Sequence, residues 1–391
     1  MIRDKGLHQT ENTSHSREPP HTGTLCGIWA VGLGLLIAAS AQASSSESQK
    51  TAWTTKSQRR EWHTLSRDDK LDYINAEKCL MSKPAKLGLP AARTIFDEFQ
   101  MSHVLNTKVV HGVGAFLPFH RLFIHAHEAL LQAECNYTGG QPYWNESLDA
   151  GNFSSSIILD PEVGFGGNGT GPLNCIVDGP FKDYVNPIGP GQTFSDHCID
   201  RIISDCASEM AGRQSIDQCM RMQNFSAFGP CLEGMPHVAG HGGIGGQMLN
   251  VFSSPGDPIF YLHHAYLDKL WWDWQSQNLT SRLTDIAGPN VPAPFWFPPE
   301  RNATSSPPPF CNSNWTLPPV GTPNRTILGF PVGWPLPIPA TLDKAELLGS
   351  DGDPGNETTL GHVLTMYGVV PNRTIAEVMD IRCGLLCYEY I

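Results

Sequence analysis

The chain has 391 residues, 40% of them hydrophobic and 16% charged, the composition of a folded globular protein with a sizeable core rather than a disordered one. Its formal net charge of -12 comes without a basic run, which argues against a nucleic-acid partner. Acidity by itself points to solubility and names no substrate.

Taken in chain order, Gly27 to Ala39 are almost wholly apolar, follow Arg3, Lys5 and Arg17, and lead to Ala41-Gln42-Ala43 before Ser44, a small-x-small cleavage pattern. Residues 1–43 therefore read as a secretory signal. An uncleaved anchor over Leu25 to Ala43 is the alternative, since spanning takes roughly 20 apolar residues. Residues 44–391 form one domain. Ser66 before Arg67-Asp68-Asp69 marks a helix start, with Leu71, Ile74 and Leu80 facing inward. A second helical pattern covers about Ala91 to Val104, with Ile95, Phe99 and Met101 apolar and His103 at its end. His111 follows in a loop bounded by Gly112 and Gly114. A third helix starts near Pro118, a good first-turn residue, and runs through His120, Leu122, Phe123, Ala126, Leu130 and Leu131 to about Cys135.

Residues 138–198, rich in Gly, Pro, Asn and Ser, read as an irregular surface region. Helical pattern returns over Ile199 to Met222 and from Asp257-Pro258 to about Gln275. Residues 288–340 are Pro-rich and read as extended segments wrapping the core; Thr374 to Met379 suggests one last short helix. The fold expected is mainly α, a central four-helix bundle with long irregular loops and little β.

Export predicts glycosylation and disulfides. Sequons stand at Asn136, Asn145, Asn152, Asn168, Asn224, Asn278, Asn302, Asn314, Asn324, Asn356 and Asn372. Leaving out Cys26, the cysteines Cys79, Cys135, Cys175, Cys198, Cys206, Cys219, Cys231, Cys311, Cys383 and Cys387 form an even set, expected to pair fully. Cys383 and Cys387 could pair locally or each at long range.

Two histidine sets stand out among the 15 histidines: His103, His111 and His120, then His237, His241 and His264. His237 and His241, four apart, share one side of a helix. Three imidazoles plus three imidazoles, with no carboxylate or thiolate recurring at ligand spacing, favour two copper ions and the handling of O2; hydrolytic zinc lacks its acid. Phe260 and Asp268 lie four residues either side of His264 on its helical face. There a ring can hold the imidazole, and a carboxylate can serve helix packing or support a ligand. His263 points about 100° away and reads as a supporting or packing residue. His125 and His127 read as packing or surface residues; His197 and His362 stay unassigned.

The stretches His111-Gly-Val-Gly-Ala-Phe-Leu-Pro-Phe-His120-Arg121 and Ser254-Pro-Gly-Asp-Pro-Ile-Phe-Tyr-Leu-His-His264-Ala-Tyr-Leu-Asp268-Lys-Leu-Trp271 resemble the tyrosinase family. These are the type 3 copper proteins that include catechol oxidases and molluscan-type haemocyanins. Gln141-Pro-Tyr-Trp144 also fits, and the ending Leu386-Cys-Tyr-Glu-Tyr390 resembles the short fungal members; the resemblance covers roughly residues 60 to 391. By position it implies one copper on His103, His111 and His120 and the other on His237, His241 and His264. The implied activity is a secreted oxidase that uses O2 to convert catechols or o-aminophenols to o-quinones. Monophenols, or peptide tyrosines as in natural-product tailoring, are also open. The alternative is a haemocyanin-like O2 carrier. A membrane would be a partner only through an uncleaved anchor.

Three departures qualify the implication. Val109 stands where many members have a cysteine, which excludes a thioether crosslink there. Val238 stands where efficient monophenol hydroxylases often have an asparagine that holds a water, so catechol-type oxidation is expected to dominate. Gly242 and Gly243 follow His241 where bulkier residues are common. They either open the substrate pocket beside Val238 and Gly242 or form a turn that needs glycine. No long extension follows the terminal motif, so no latent precursor is expected.

Overall fold

The computed structural model describes residues 56–292 and 352–391 apart from Cys383. The N-terminal apolar segment, the Pro-rich stretch 293–351 with its sequons Asn302, Asn314 and Asn324, and Cys311 lie outside the described residues. The described residues fall within one compact unit, 53–391, and none of their helices is long and apolar enough to cross a membrane.

Four long helices form the centre: α1 (Arg67–Ser82), α2 (Ile95–Val110), α3 (Phe116–Cys135) and, much later in the chain, α9 (Ile259–Ser276). Between α3 and α9 come the short α4 (Asp205–Ser208), α5 (Arg213–Met220), α6 (Phe225–Leu232), α7 (Val238–Ile244) and α8 (Gly246–Leu249); α10 (Leu279–Arg282) and α11 (Ile375–Val378) follow α9. Among the described residues, the named strands form two-stranded pairs. One of these, β1 (Ser57–Arg59) on β2 (Tyr388–Tyr390), runs parallel and joins the two ends of the described chain.

Local chemistry sets the helix starts. Ser66 and Thr94 each cap a helix, with Asp69 and Asp97 returning the bond to the cap backbone. The second helix thus begins later than the expected Ala91 and runs on to Val110, so His103 lies inside it rather than at its end. His111 is the residue that caps α2, and His120 sits in the second turn of α3, which opens at Phe116. In α1, Ile74 and Leu80 face inward as expected, but Leu71 is only half-buried. Among the buried polar residues there, Tyr73 and Glu77 bond each other at 2.5 Å. The single helical stretch expected over Ile199–Met222 is instead α4, a 3-10 turn and α5.

The irregular region 138–198 is not merely surface. Tyr143, Trp144, Phe153, Ile158, Phe165 and Phe181 are all buried in the main core. Disulfides join Cys79 to Cys135, Cys175 to Cys198 and Cys219 to Cys231, and Cys206 is also disulfide-bonded. Cys387 is a free thiol, which corrects the expectation of complete pairing. Its residue adopts φ 47° immediately before β2, and its carbonyl accepts the N–H of Ser57 at 3.1 Å.

Candidate metal centre

Three of the long helices, α2, α3 and α9, carry or cap histidines at the centre, and α7 with the turn entering it adds two more. The first set comes from α2, its cap and α3; the second from the turn entering α7, α7 itself and α9. The turn Glu233–His237 is a π-turn containing Pro236, which has no N–H to continue an α-helical ladder. Within the first set, ring centroids lie 5.2 Å apart for His103–His111, 5.5 Å for His103–His120 and 5.2 Å for His111–His120. In the second the spacings are 4.5, 5.3 and 5.4 Å. The sets face each other: His120 stacks on His264 at 4.2 Å, and His111 lies 6.2 Å from His237. In each cluster the nitrogens available to a metal lie within 4.8 Å of one another, and the second cluster also brings in His263 beside His237, His241 and His264.

Hydrogen bonds fix which nitrogen is free. Nδ1 of His103, His111, His120 and His237 donates to the carbonyls of Phe252, Thr107, Phe116 and Glu233 at 2.8–3.0 Å, and Nδ1 of His241 donates to that of Met248. A carbonyl accepts only, so these five imidazoles carry their proton on Nδ1 and leave Nε2 as a lone pair. His103 and His120 bring two such bare Nε2 atoms to 3.4 Å, and His241 Nε2 lies 3.3 Å from His264 Nε2. Nε2 of His237 has no partner. Lone pairs aimed at one another inside a protein suit a cation between them, so the residues present fit a metal ion at each set. Burial, reinforced at most of these positions by the neighbouring imidazoles, pushes all six well below the ordinary histidine range, His111 to about 4. They are therefore neutral at pH 7, the form that binds metal.

Two phenylalanines wall the centre. Phe260 lies 4.1 Å from the His264 ring and 5.4 Å from that of His103, as its position four residues before His264 predicts. Phe116 lies 4.7 Å from both His120 and His237. His103 and His264 are almost fully buried, whereas His237, His241 and Val238 keep 7%, 9% and 6% exposure, so the slight exposure at the centre is greatest on the His237–His241 segment.

A family described as the common central domain of tyrosinase matches residues 93–277. Tyrosinase-like protein phomQ2 of Diaporthe leptostromiformis is 33% identical over 345 residues, 85% of this chain and 72% of the relative. N-acetyl-6-hydroxytryptophan oxidase ivoB of Emericella nidulans is 26% identical over 391 residues, 85% of this chain and 91% of the relative. Among solved structures, a mutant polyphenol oxidase from Thermothelomyces thermophila superposes with a TM-score of 0.64 at 26% identity, over 86% of this chain and 89% of that one. The chain belongs to the tyrosinase family. It is accordingly a copper-dependent, tyrosinase-like oxidase of the type 3 fold.

Against this tyrosinase frame, Asp268 does not touch the His264 imidazole, whose Nδ1 has no partner. Its carboxylate instead takes Arg121 and Arg59. His127 is fully buried and stacks on Tyr261 at 3.6 Å, a packing residue. His197 bonds Gln247, and His362 pairs with Asp353 at 2.6 Å. Gly242 and Gly243 are helical residues of α7, not turn residues. A Cβ on Gly243 would lie 2.5 Å from the Phe153 ring, so close packing explains it; a Cβ on Gly242 would meet only Ala207, at 3.7 Å.

Two carboxyls escaped the sequence reading. Glu233 Oε1 accepts the N–H of Gly112 at 2.7 Å, tying the π-turn before His237 to the residue after His111. Burial raises it to about 8, against the pull of that bond. Its one sequence signal was helical spacing, four residues before His237. Glu146 reaches His263 from a segment 117 residues away, a contact no local spacing shows.

Proposed function

We propose that His103, His111 and His120 hold one copper and His237, His241 and His264 the other, and that the protein oxidises catechols and o-aminophenols to o-quinones ahead of monophenols. What carries the reading is the common orientation of the imidazoles, five of them pinned through Nδ1 with Nε2 directed inward. When bound, the copper pair supplies two-electron oxidation with O2 as acceptor. The chain supplies the rest: neutral donors, a water-poor pocket walled by Phe116 and Phe260, and one accessible edge. An aromatic ring entering along that edge meets Val238, whose side chain offers no donor or acceptor to manage a phenol proton. Substituted phenols and tyrosine within a peptide fall in the same substrate class. The name of the hydroxytryptophan oxidase among the relatives gives a hydroxylated aromatic of this class. The disulfides support a secretory-pathway protein, and the exposed sequon residues Asn136, Asn152 and Asn224 are compatible with glycans there.

Metal analysis of the purified protein and a catechol panel test this. Two coppers per chain and o-quinone formation are expected at saturating copper, with His120→Ala and His264→Ala each losing one copper and His263→Ala still taking up two. One metal per chain, or zinc retained after reconstitution with copper, overturns the assignment.

A further inference from the structure

Behind the second histidine set lies a buried carboxyl–imidazole contact that the oxidase reading leaves without a role. Glu146 opens a one-turn segment, Glu146–Leu148, just after Trp144, and its Oε1 bonds Nδ1 of His263. Both side chains are fully buried. Glu146 Oε2 and His263 Nε2 have no other partner, so each group relies on the other alone. Gly240, between His237 and His241 on α7, makes the room. A Cβ there would lie 2.3 Å from His263 Nδ1 and 2.8 Å from Glu146 Oε1.

The ring so held is a wall of the second set. It stands edge-on to His241 at 4.5 Å, near-parallel to His237 at 5.5 Å, and edge-on to His264 at 4.8 Å. This set has the greater need of such a wall. Every imidazole of the first set is pinned by its own Nδ1 bond, whereas His264 Nδ1 has none. A histidine ring turns about χ2 in a broad, two-fold well, so packing alone defines its plane weakly. A buried hydrogen bond to a carboxyl defines it strongly.

We propose that Glu146, acting through His263, is a positioning residue for the second copper: it fixes the His263 ring, and that ring orients His237, His241 and His264. The inference rests on the ligand assignment above. Partners that orient metal ligands are typically worth 10–100-fold in metal affinity.

The test loads the full-length protein with two equivalents of copper and titrates with a chelator, following copper retained and the Cu(II) EPR signal of singly loaded protein. Glutamine offers an acceptor and a donor at the same place, so Glu146→Gln should hold both coppers like the wild type. Glu146→Ala should hold the second copper about 10- to 100-fold more weakly with the first unchanged, and Gly240→Ala, which displaces the same contact, should follow it. Thermal unfolding of the metal-free variants separates positioning from collapse. The proposal is overturned if Glu146→Ala retains the second copper like the wild type, if Glu146→Gln behaves as Glu146→Ala, or if both coppers leave together with a lowered Tm of the metal-free protein. A wild type that binds fewer than two coppers would instead overturn the ligand assignment itself.

Discussion

Replacing Asp268 with asparagine should destabilise the protein by about 3 kcal/mol, because this carboxylate braces the two helices that carry His120 and His264. Its Oδ1 takes Arg121 Nε at 2.5 Å; its Oδ2 takes Arg59 Nη1 at 3.2 Å and the hydroxyls of Tyr388 and Tyr390. Both guanidiniums are fully buried. Burial raises the carboxyl, but the charges of Arg121 and Arg59 and the two hydroxyls outweigh it and hold Asp268 below the ordinary range. Without the charge, Arg59 still pairs with Glu128 at 2.7 Å. Arg121 is left on neutral acceptors, the carbonyls of Val378 and Met379 and the side chain of Gln275. Removing one partner of a buried pair typically costs about 3–5 kcal/mol, and the surviving neutral acceptors place this case at the lower end.

Denaturant unfolding at pH 7 measures the loss, and its pH dependence checks the cause. A carboxyl depressed in the native state binds fewer protons there than in the unfolded chain. Its stabilisation is therefore fully present above the unfolded value, about 4, and disappears as pH falls through the lower native value. The acid limb of the stability curve should flatten in that window for Asp268→Asn. The double variant with Arg121→Met should lose less than the sum of the two single changes, since no orphaned charge remains. A loss below about 1 kcal/mol together with an unchanged acid limb would refute the bracing role.

Val238→Asn should raise the monophenol rate relative to the catechol rate, read as the ratio of initial o-quinone formation from matched substrates; wild-type protein that hydroxylates monophenols as fast as it oxidises catechols removes the argument. Gly243→Ala should cost about 1–3 kcal/mol through overpacking against Phe153, whereas Gly242→Ala should be tolerated within about 0.5 kcal/mol; equal Tm values for the two would contradict the packing. Peptide mapping of denatured, unreduced protein should find Cys387 alkylated and Cys79, Cys135, Cys175, Cys198, Cys219 and Cys231 protected. Loss of the Cys79–Cys135 link, which joins residues 56 apart, should remove about 4 kcal/mol by the loop-entropy relation.

The two histidine sets were legible because each histidine lies in or beside a helix whose spacing writes the geometry into the chain. Phe260 four residues before His264 had to share its face, and it does. The course of α2 was not legible past Val104, since Asn106, Thr107 and Lys108 resemble a loop. Asn106 is nonetheless buried, its amide donating to the carbonyls of Ser102 and Thr365, and Thr107 donates to the carbonyl of His103. Thr365 lies 259 residues away, and only the folded chain supplies such a partner. The same reason hid Glu146. A polar residue inside the core is explained by what it meets, and sequence spacing reports that only within one element.

The centre also shows why its six imidazoles need so much surrounding structure. Neutral rings bring Nε2 atoms to 3.3–3.4 Å, an arrangement that repels when both carry lone pairs and that their own chemistry would relax by rotation. For five of the six, backbone carbonyls from α2, α3, the π-turn and the segment before α9 prevent that rotation by holding Nδ1. Those carbonyls are themselves fixed by helix packing, which the Arg121–Asp268 pair braces between α3 and α9. Imidazole orientation thus depends on contacts one and two layers out. A substitution at Asp268 and one at Glu146 should therefore differ in kind: the first loosens the packing beneath both sets, the second releases a single ring beside one of them.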